Sequence, residues 1–315
     1  MNQKKNNTNE NENYGRFDFV GKTPLFGGIS LFLVIASLVY LAVGGINYGI
    51  DFKGGTEIQV KFGQAVAMDD IRKASEGLGI GDVGIQGFGD TSEFIIRFQG
   101  EAGKDDKETN AKLNEAIGKV KTMIDTQFKD KQPDIRRVDT VGPQVGAELK
   151  RNGLLAIFYS LLVILIYVSL RFDYKYSPGA VICLAHDAII TLGIFVLVGK
   201  EVNVSILAAI LTLIGYSLND TIVVFDRIRE TDADSHGKSS KYIVTKAIND
   251  MLGRTIITSG TVFTSALCLW IFSTGTVSDI AFAITIGMFF GTYSSVFVAA
   301  PMMIFIEKMK FLAKA

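Results

Sequence analysis

Two cysteines and two histidines in a chain of 315 residues leave little room for disulfide or metal chemistry. Cys183 and Cys268 fall in separate apolar stretches, so the polar regions hold no thiols from which a disulfide framework could be built. Free cysteine is among the most buried side chains, and both read as packing residues. An excess of charge is also missing: 32 Lys and Arg balance 32 Asp and Glu. Nothing in that balance suggests the basic face that nucleic-acid binding requires. No Walker-type phosphate loop occurs, so nucleotide hydrolysis is not expected. The G-x-G-x-x-G run at residues 79–84 follows a helical pattern and precedes a strand pattern, the reverse of a dinucleotide site, and reads as a turn. No serine, cysteine or paired-acid arrangement points to hydrolysis. The chain is not read as an enzyme, and no cofactor is implied.

What the chain does have is long apolar runs. Uncharged stretches cover residues 23–50, 152–170, 255–277 and 280–306, and runs with a single acid each cover 179–198 and 202–225. Each reaches the roughly 17 to 25 residues that a spanning helix needs. Six spans put both termini on one side, and the Lys and Arg distribution chooses the side. Lys4, Lys5, Arg16 and Lys22 precede the first span, Arg171 and Lys175 follow the second, and Arg227, Arg229, Lys238, Lys241 and Lys246 follow the fourth. The opposite links carry only Lys200 and, at residues 273–279, no cation. Both termini are therefore expected in the cytoplasm. The first span lacks a compact charge cluster before it and a small-residue cleavage site after it, and reads as retained rather than as a signal peptide.

The organisation expected is a polar cytoplasmic tail (1–22), a first span (23–50), an extracytoplasmic domain (51–150), and a five-span region (151–310) with a cytoplasmic loop (227–253), closed by a short cytoplasmic C-terminus (311–315). The asparagine-rich start of the tail has no means of building a core. In the external segment Ile58, Val60 and Phe62 alternate with Glu57, Gln59 and Lys61, the period of a half-buried strand. Further strands are expected at 83–88, 94–98 and 135–141, with a short helix at 69–78. A longer helix carries Leu113, Ile117, Val120, Ile124 and Phe128 as one stripe. The fold class is thus an α-helical polytopic membrane protein with a small α+β, ferredoxin-like (βαββαβ) external domain, an arrangement that names no function by itself. Between the fourth and fifth spans, Tyr242, Ile243, Ala247, Ile248 and Leu252 suggest a helix lying on the membrane surface.

Asp220 is the one acid in the run 202–225. A carboxylate in hydrocarbon costs about 2.5 to 3.5 kcal/mol on insertion scales, so it normally faces a partner or a water path and marks a functional site. Asn219 stands beside it in a stretch rich in small and hydrogen-bonding residues. Arg254, followed one turn on by Thr258 and Ser259, is a candidate counter-charge. An acid poised between desolvation and a nearby guanidinium suits a proton relay; equally, Arg254 can snorkel to the headgroups and leave Asp220 a satisfied packing acid. His186 and Asp187, in the third span, either extend a relay or make a structural hydrogen bond. A metal site is not expected, because the other histidine, His236, lies in a loop. Gly287, Gly291 and Ser295 recur every four residues and allow close helix packing, within the chain or against a partner. Gly49, Asp51, Gly54 and Gly55 form a glycine-rich stretch at the start of the external domain that reads as a tight junction.

Four blocks together resemble the SecD/SecF family of bacterial protein-export membrane subunits: residues 49–56, the run 141–149 with Gly142, Pro143 and Gly146, residues 215–230 around Asp220, and 254–259. The resemblance spans nearly the whole chain after the polar tail, and the His186-Asp187 pair also sits where the family places it. It implies a six-span half of the resistance-nodulation-division type, joined by pseudo-twofold symmetry to a SecD half. It further implies work with the SecYEG translocon on a preprotein substrate in the bacterial inner membrane. In that family the acid, arginine and threonine matching Asp220, Arg254 and Thr258 are assigned to proton conduction. The function expected is use of a proton or sodium motive force to promote preprotein translocation. An ion-coupled lipid or small-molecule exporter half, or a purely structural translocon subunit, are the alternatives.

Overall fold

The computed structural model describes residues 15–81, 83–99, 106–172, 177–235 and 237–306. The asparagine-rich tail, His236 and residues 311–315 lie outside the described residues.

After a 3₁₀ turn at Val20–Lys22, the first long helix, α1 (Thr23–Val43), starts with a proline in its first turn, where the missing N–H has no helical partner to lose. A short linker leads into α2 (Ile50–Lys53), a single helical turn within the glycine-rich junction. The α+β domain then runs β1 (Gly55–Phe62), α3 (Met68–Glu76), β2 (Val83–Phe88), β3 (Asp90–Phe98), α4 (Asp106–Gln127) and β4 (Pro133–Val141). Its sheet has the order β2-β3-β1-β4 with every pair antiparallel, which is the βαββαβ arrangement. Ile58, Val60 and Phe62 of β1 and Phe94, Ile96 and Phe98 of β3 point to the face covered by Ile71 of α3 and Val120 and Ile124 of α4. The opposite face carries Glu57, Gln59, Lys61, Glu93 and Arg97, with Ile95 buried among them.

The chain returns to the membrane half at Pro143, which opens α5 (Pro143–Arg171). Then follow α6 (Ser177–Leu197), α7 (Val204–Asp234), α8 (Ser240–Phe272) and α9 (Gly275–Ser294), the last continued through a π turn at Ser295–Ala299. Among the described residues six helices are long and apolar enough to span a membrane. They are not equally sheltered: over half of the apolar window of α6 is buried inside the chain, against 11% for α1 and α5. The group α6, α7 and α9 is therefore the interior of the membrane half, and α1, α5 and α8 keep apolar faces turned outward.

One expectation needs correction. The amphipathic stretch at residues 242–252 is not a separate surface helix but the first turns of α8, and α7 runs on to Asp234, so residues 227–253 are mostly helical. Ile243, Val244, Ala247 and Ile248 pack against Phe225 and Ile228 of α7 and Val296 and Ala299 beyond α9. An apolar stripe satisfied by neighbouring helices has no need of headgroups, and periodicity cannot tell those two coverings apart. The glycine-rich junction before β1 is tight, and residues 50–53 close one helical turn within it before Gly54 breaks it at φ +75°.

Candidate functional site

The membrane half holds two buried acids on neighbouring helices. Asp220 lies on the inner face of α7 with 6% of its surface exposed. Its Oδ2 accepts a hydrogen bond from the Ser259 hydroxyl of α8, itself buried. No hydrogen bond or ion pair joins Asp220 to Arg254, which acts on it electrostatically from further along α8. Arg254 and Thr258 sit on the exposed side of α8. The Thr258 hydroxyl is turned back on its own helix, donating to the Arg254 carbonyl at 2.9 Å and approaching that of Thr255 at 3.2 Å. Asn219 is exposed on the outer face of α7. Of the relay candidates on these two helices, only Asp220 faces inward; Arg254, Thr258 and Asn219 line the open side.

Asp187, on α6, is completely buried. Its Oδ2 accepts from Ser217 of α7 at 2.5 Å and from Ser294 of α9 at 2.9 Å, and its Oδ1 meets His186 Nδ1 at 2.9 Å. Three helices thus converge on one carboxylate. The Cys183 thiol adds a contact to the Ser294 hydroxyl at 3.1 Å. Ser217 stands three residues before Asp220 on the same face of α7, so a polar seam runs from Asp187 past Ser217 toward Asp220. The His186 ring is stacked with Tyr293 at 6.4 Å, and its Nε2 has no partner among the described residues.

The small residues of α9 make this convergence possible. A side-chain carbon at Gly287 would fall 2.3 Å from Leu213 of α7, and one at Gly291 would stand 3.4 Å from Ser217 and 3.6 Å from Asp187. Ser295, buried in the π turn, donates back to the Thr292 carbonyl. The face carrying Gly287 and Gly291 is packed inside the chain. Among the described residues no three His, Cys, Asp or Glu side chains gather closely enough to hold a metal ion.

At the foot of the α+β domain the junction residues interlock. Gly54 and Gly55 take φ +75° and +134°, and a side-chain carbon on Gly54 would lie 2.8 Å from the Pro143 backbone. Gly142 precedes α5 in extended conformation, and Gly146, one turn in, packs its bare backbone on Phe52 and Gly54. Asp51 accepts the Val204 N–H at 3.0 Å, and Gly49 donates to the Val202 carbonyl at 2.9 Å. Of the two hydroxyls expected one turn after Arg254, it is Ser259 and not Thr258 that meets Asp220; Ser294, the α9 partner of Asp187, carries no signal in the sequence, because nothing local marks one serine of an apolar helix for a distant acid.

The protein-family description "protein export membrane protein SecD/SecF, C-terminal" matches residues 119–309, and the SecD/SecF GG motif matches residues 39–66. The protein translocase subunit SecF of Calditerrivibrio nitroreducens is 42% identical over 301 residues, covering 95% of this chain and 97% of that one. The chain belongs to the SecD/SecF family. Its full-length relatives place it on the SecF side, as a multi-pass membrane subunit with a transport role rather than a catalytic one. SecF of Desulfurispirillum indicum is 40% identical over 88% of this chain and 87% of its own. The crystal structure of SecDF, a translocon-associated membrane protein from Thermus thermophilus, superposes with a TM-score of 0.80 at 30% identity, covering 93% of this chain. This chain spans 39% of that SecDF chain. The GG motif of the SecD/SecF family is the interlocked junction, and the C-terminal match takes in α5 to α9 with both acids.

Proposed function

We propose that this SecF-type subunit acts with a SecD half to couple a proton or sodium motive force to preprotein translocation at the SecYEG translocon, with Asp220 as the titrating group. The observation that carries the reading is that Asp220, at membrane depth, is met directly by a hydroxyl and not by a cation. A carboxylate locked in an ion pair has one stable charge state, whereas one that faces a hydroxyl can be accommodated both ionised and neutral, because the hydroxyl donates to the first and accepts from the second. Arg254 then supplies a field, not a clamp, and His186 and Asp187 give a second, deeper polar site linked through Ser217.

The open side supports a partner half. Asn219, Arg254 and Thr258 are exposed on helices that otherwise suit hydrocarbon, and polar groups in that position are normally covered by protein or a water-filled path. SecD packed there completes the relay, with residues 1–22, 227–253 and 311–315 in the cytoplasm and 51–150 outside. One charge crossing about 100 mV supplies roughly 2.3 kcal/mol. That shifts a two-state equilibrium about fifty-fold, enough to gate a domain movement and too little to draw a whole chain in one step.

The test replaces Asp220 by Asn, which keeps shape and hydrogen bonding, and measures preprotein export into vesicles with proton and sodium gradients set independently. Loss of gradient-stimulated export with an intact complex is the expected result. Normal export would return Asp220 to a structural role.

A further inference from the structure

The helix that carries Asp220 begins at the foot of the external domain. Asp51, in the single turn Ile50–Lys53, directs Oδ2 to the N–H of Val204, the first residue of α7, at 3.0 Å. Asn203, the N-cap, takes the Ile206 N–H at 3.0 Å. Two of the N–H groups that a helix start leaves without partners are thus satisfied, one locally and one by a side chain 153 residues earlier in the chain. A carboxylate there also meets the positive end of the helix dipole. The backbone repeats the join: Val202 donates to the Asn47 carbonyl at 2.8 Å and Gly49 donates to the Val202 carbonyl at 2.9 Å, closing a parallel bridge between Tyr48 and Val202.

On its other side the turn holding Asp51 has no slack. Phe52 is buried, Gly54 abuts the Pro143 backbone, and a side-chain carbon on Gly55 would lie 2.8 Å from the Phe98 carbonyl of β3. From Val204 to Asp220 is about 24 Å along a helix that contains no proline. The sheet, the turn, the cap and the helix form one continuous line from the external domain to the titrating acid.

We propose that Asp51, together with the backbone bridge at Val202, is the mechanical link of the subunit, a positioning element through which displacement of α7 reaches the external domain. This rests on the Asp220 reading above and adds to it where the motion goes. A connection through a free loop would dissipate a tilt of α7; a cap supplied by the domain itself makes the helix start and the domain root move together. The role differs from plain stabilisation of α7, which Asn203 already provides.

The experiment uses the full chain with its SecD half in proteoliposomes, with two pairs of distance labels. An inner pair joins the non-external ends of α6 and α7; an outer pair joins α4 to the outer end of α6. On imposing a proton gradient, both distances change in the wild type and neither changes in Asp220→Asn. In the double variant Asp51→Ala, Val202→Pro the inner change persists while the outer change falls by more than half. Asp51→Ala alone, which keeps the backbone bridge, gives a smaller loss, and Asp51→Asn, which keeps an acceptor oxygen, restores the outer change. A double variant with the full outer change overturns the link. So does one that loses the inner change as well, because the join would then only hold α7 in place. Equal responses in the wild type and Asp220→Asn would sink the Asp220 reading and the link with it.

Discussion

Ser259 of α8 donates a hydrogen bond to the carboxylate of Asp220 on α7, and that hydroxyl is the direct partner of the acid. Removing it leaves a buried carboxylate with no hydrogen-bond donor among the described residues. Hydrogen bonds to charged groups are worth about 1.5 to 3 kcal/mol, so Ser259→Ala is expected to slow gradient-driven export by roughly tenfold or more. Ser259→Thr, which keeps the hydroxyl, retains most activity. Export rates in vesicles, normalised to the amount of assembled complex, decide the matter; an unaffected Ser259→Ala would mean that the hydroxyl is incidental.

The four-stranded sheet is ionically tied to the loop that joins α6 to α7. Arg97 of β3 pairs with Glu57 at 2.7 Å and with Glu201 at 2.6 Å. Burial pushes the Glu201 carboxyl above its ordinary value of 4.5, against the downward pull of Arg97. The docked arrangement therefore binds a proton more readily than an undocked one. The stabilisation that protonated Glu201 contributes is full below 4.5 and is lost as the pH rises through the higher docked value. Hydrogen exchange in β3 and residues 199–203 should slow as the pH is lowered toward 4.5, after correction for intrinsic rates. Glu201→Gln should remove that dependence. Arg97→Ala leaves two acids without their cation and is expected to cost about 1 to 2 kcal/mol, a figure reduced for the partial exposure of the pair.

Gly54 and Gly142 flank the same junction but differ in what they tolerate. At Gly54 the backbone is in the left-handed region and an added carbon meets the Pro143 main chain at 2.8 Å, which no rotamer change can relieve. At Gly142 the conformation is ordinary and nothing lies within 4 Å. Gly54→Ala is expected to destabilise the junction by about 2 to 4 kcal/mol and Gly142→Ala by less than about 0.5. Limited proteolysis between residues 44 and 56 reads the difference, with equal cleavage of the two variants counting against it.

Two other glycines make a matched pair of opposite sign. Gly287→Val drives side-chain atoms into Leu213 and should lower stability by about 1 to 3 kcal/mol through overpacking. Gly118, exposed in the middle of α4 with open space around it, should gain about 0.5 to 1 kcal/mol on change to Ala. Thermal unfolding of the solubilised protein measures the first, and hydrogen exchange in the α+β domain the second.

The six apolar helices, the strand and helix order of the α+β domain and the glycine junction were all readable from the linear chain, because hydropathy over twenty residues, period-two alternation and glycine clustering are local properties. The acids were legible for the same reason: a charge in an apolar run is conspicuous wherever it ends up. Their partners were not. Ser259 lies 39 residues from Asp220, Ser294 lies 107 from Asp187, and Glu201 lies 104 from Arg97. One hydroxyl among many on apolar helices carries no mark of the acid it will meet.

The stripe at residues 242–252 shows the limit from the other direction. Its apolar face was visible in the sequence, but whether lipid headgroups or α7 cover it depends on where a neighbouring helix ends. The chain by itself determined which segments enter the membrane and which residues are costly there, since transfer free energy belongs to each segment alone. Only the tertiary structure decided that Asp220 faces a hydroxyl rather than a guanidinium, and that its helix starts from a cap supplied by Asp51 at the foot of the α+β domain. Hydrogen bonds between helices are set by packing distance and rotation, which no single segment encodes.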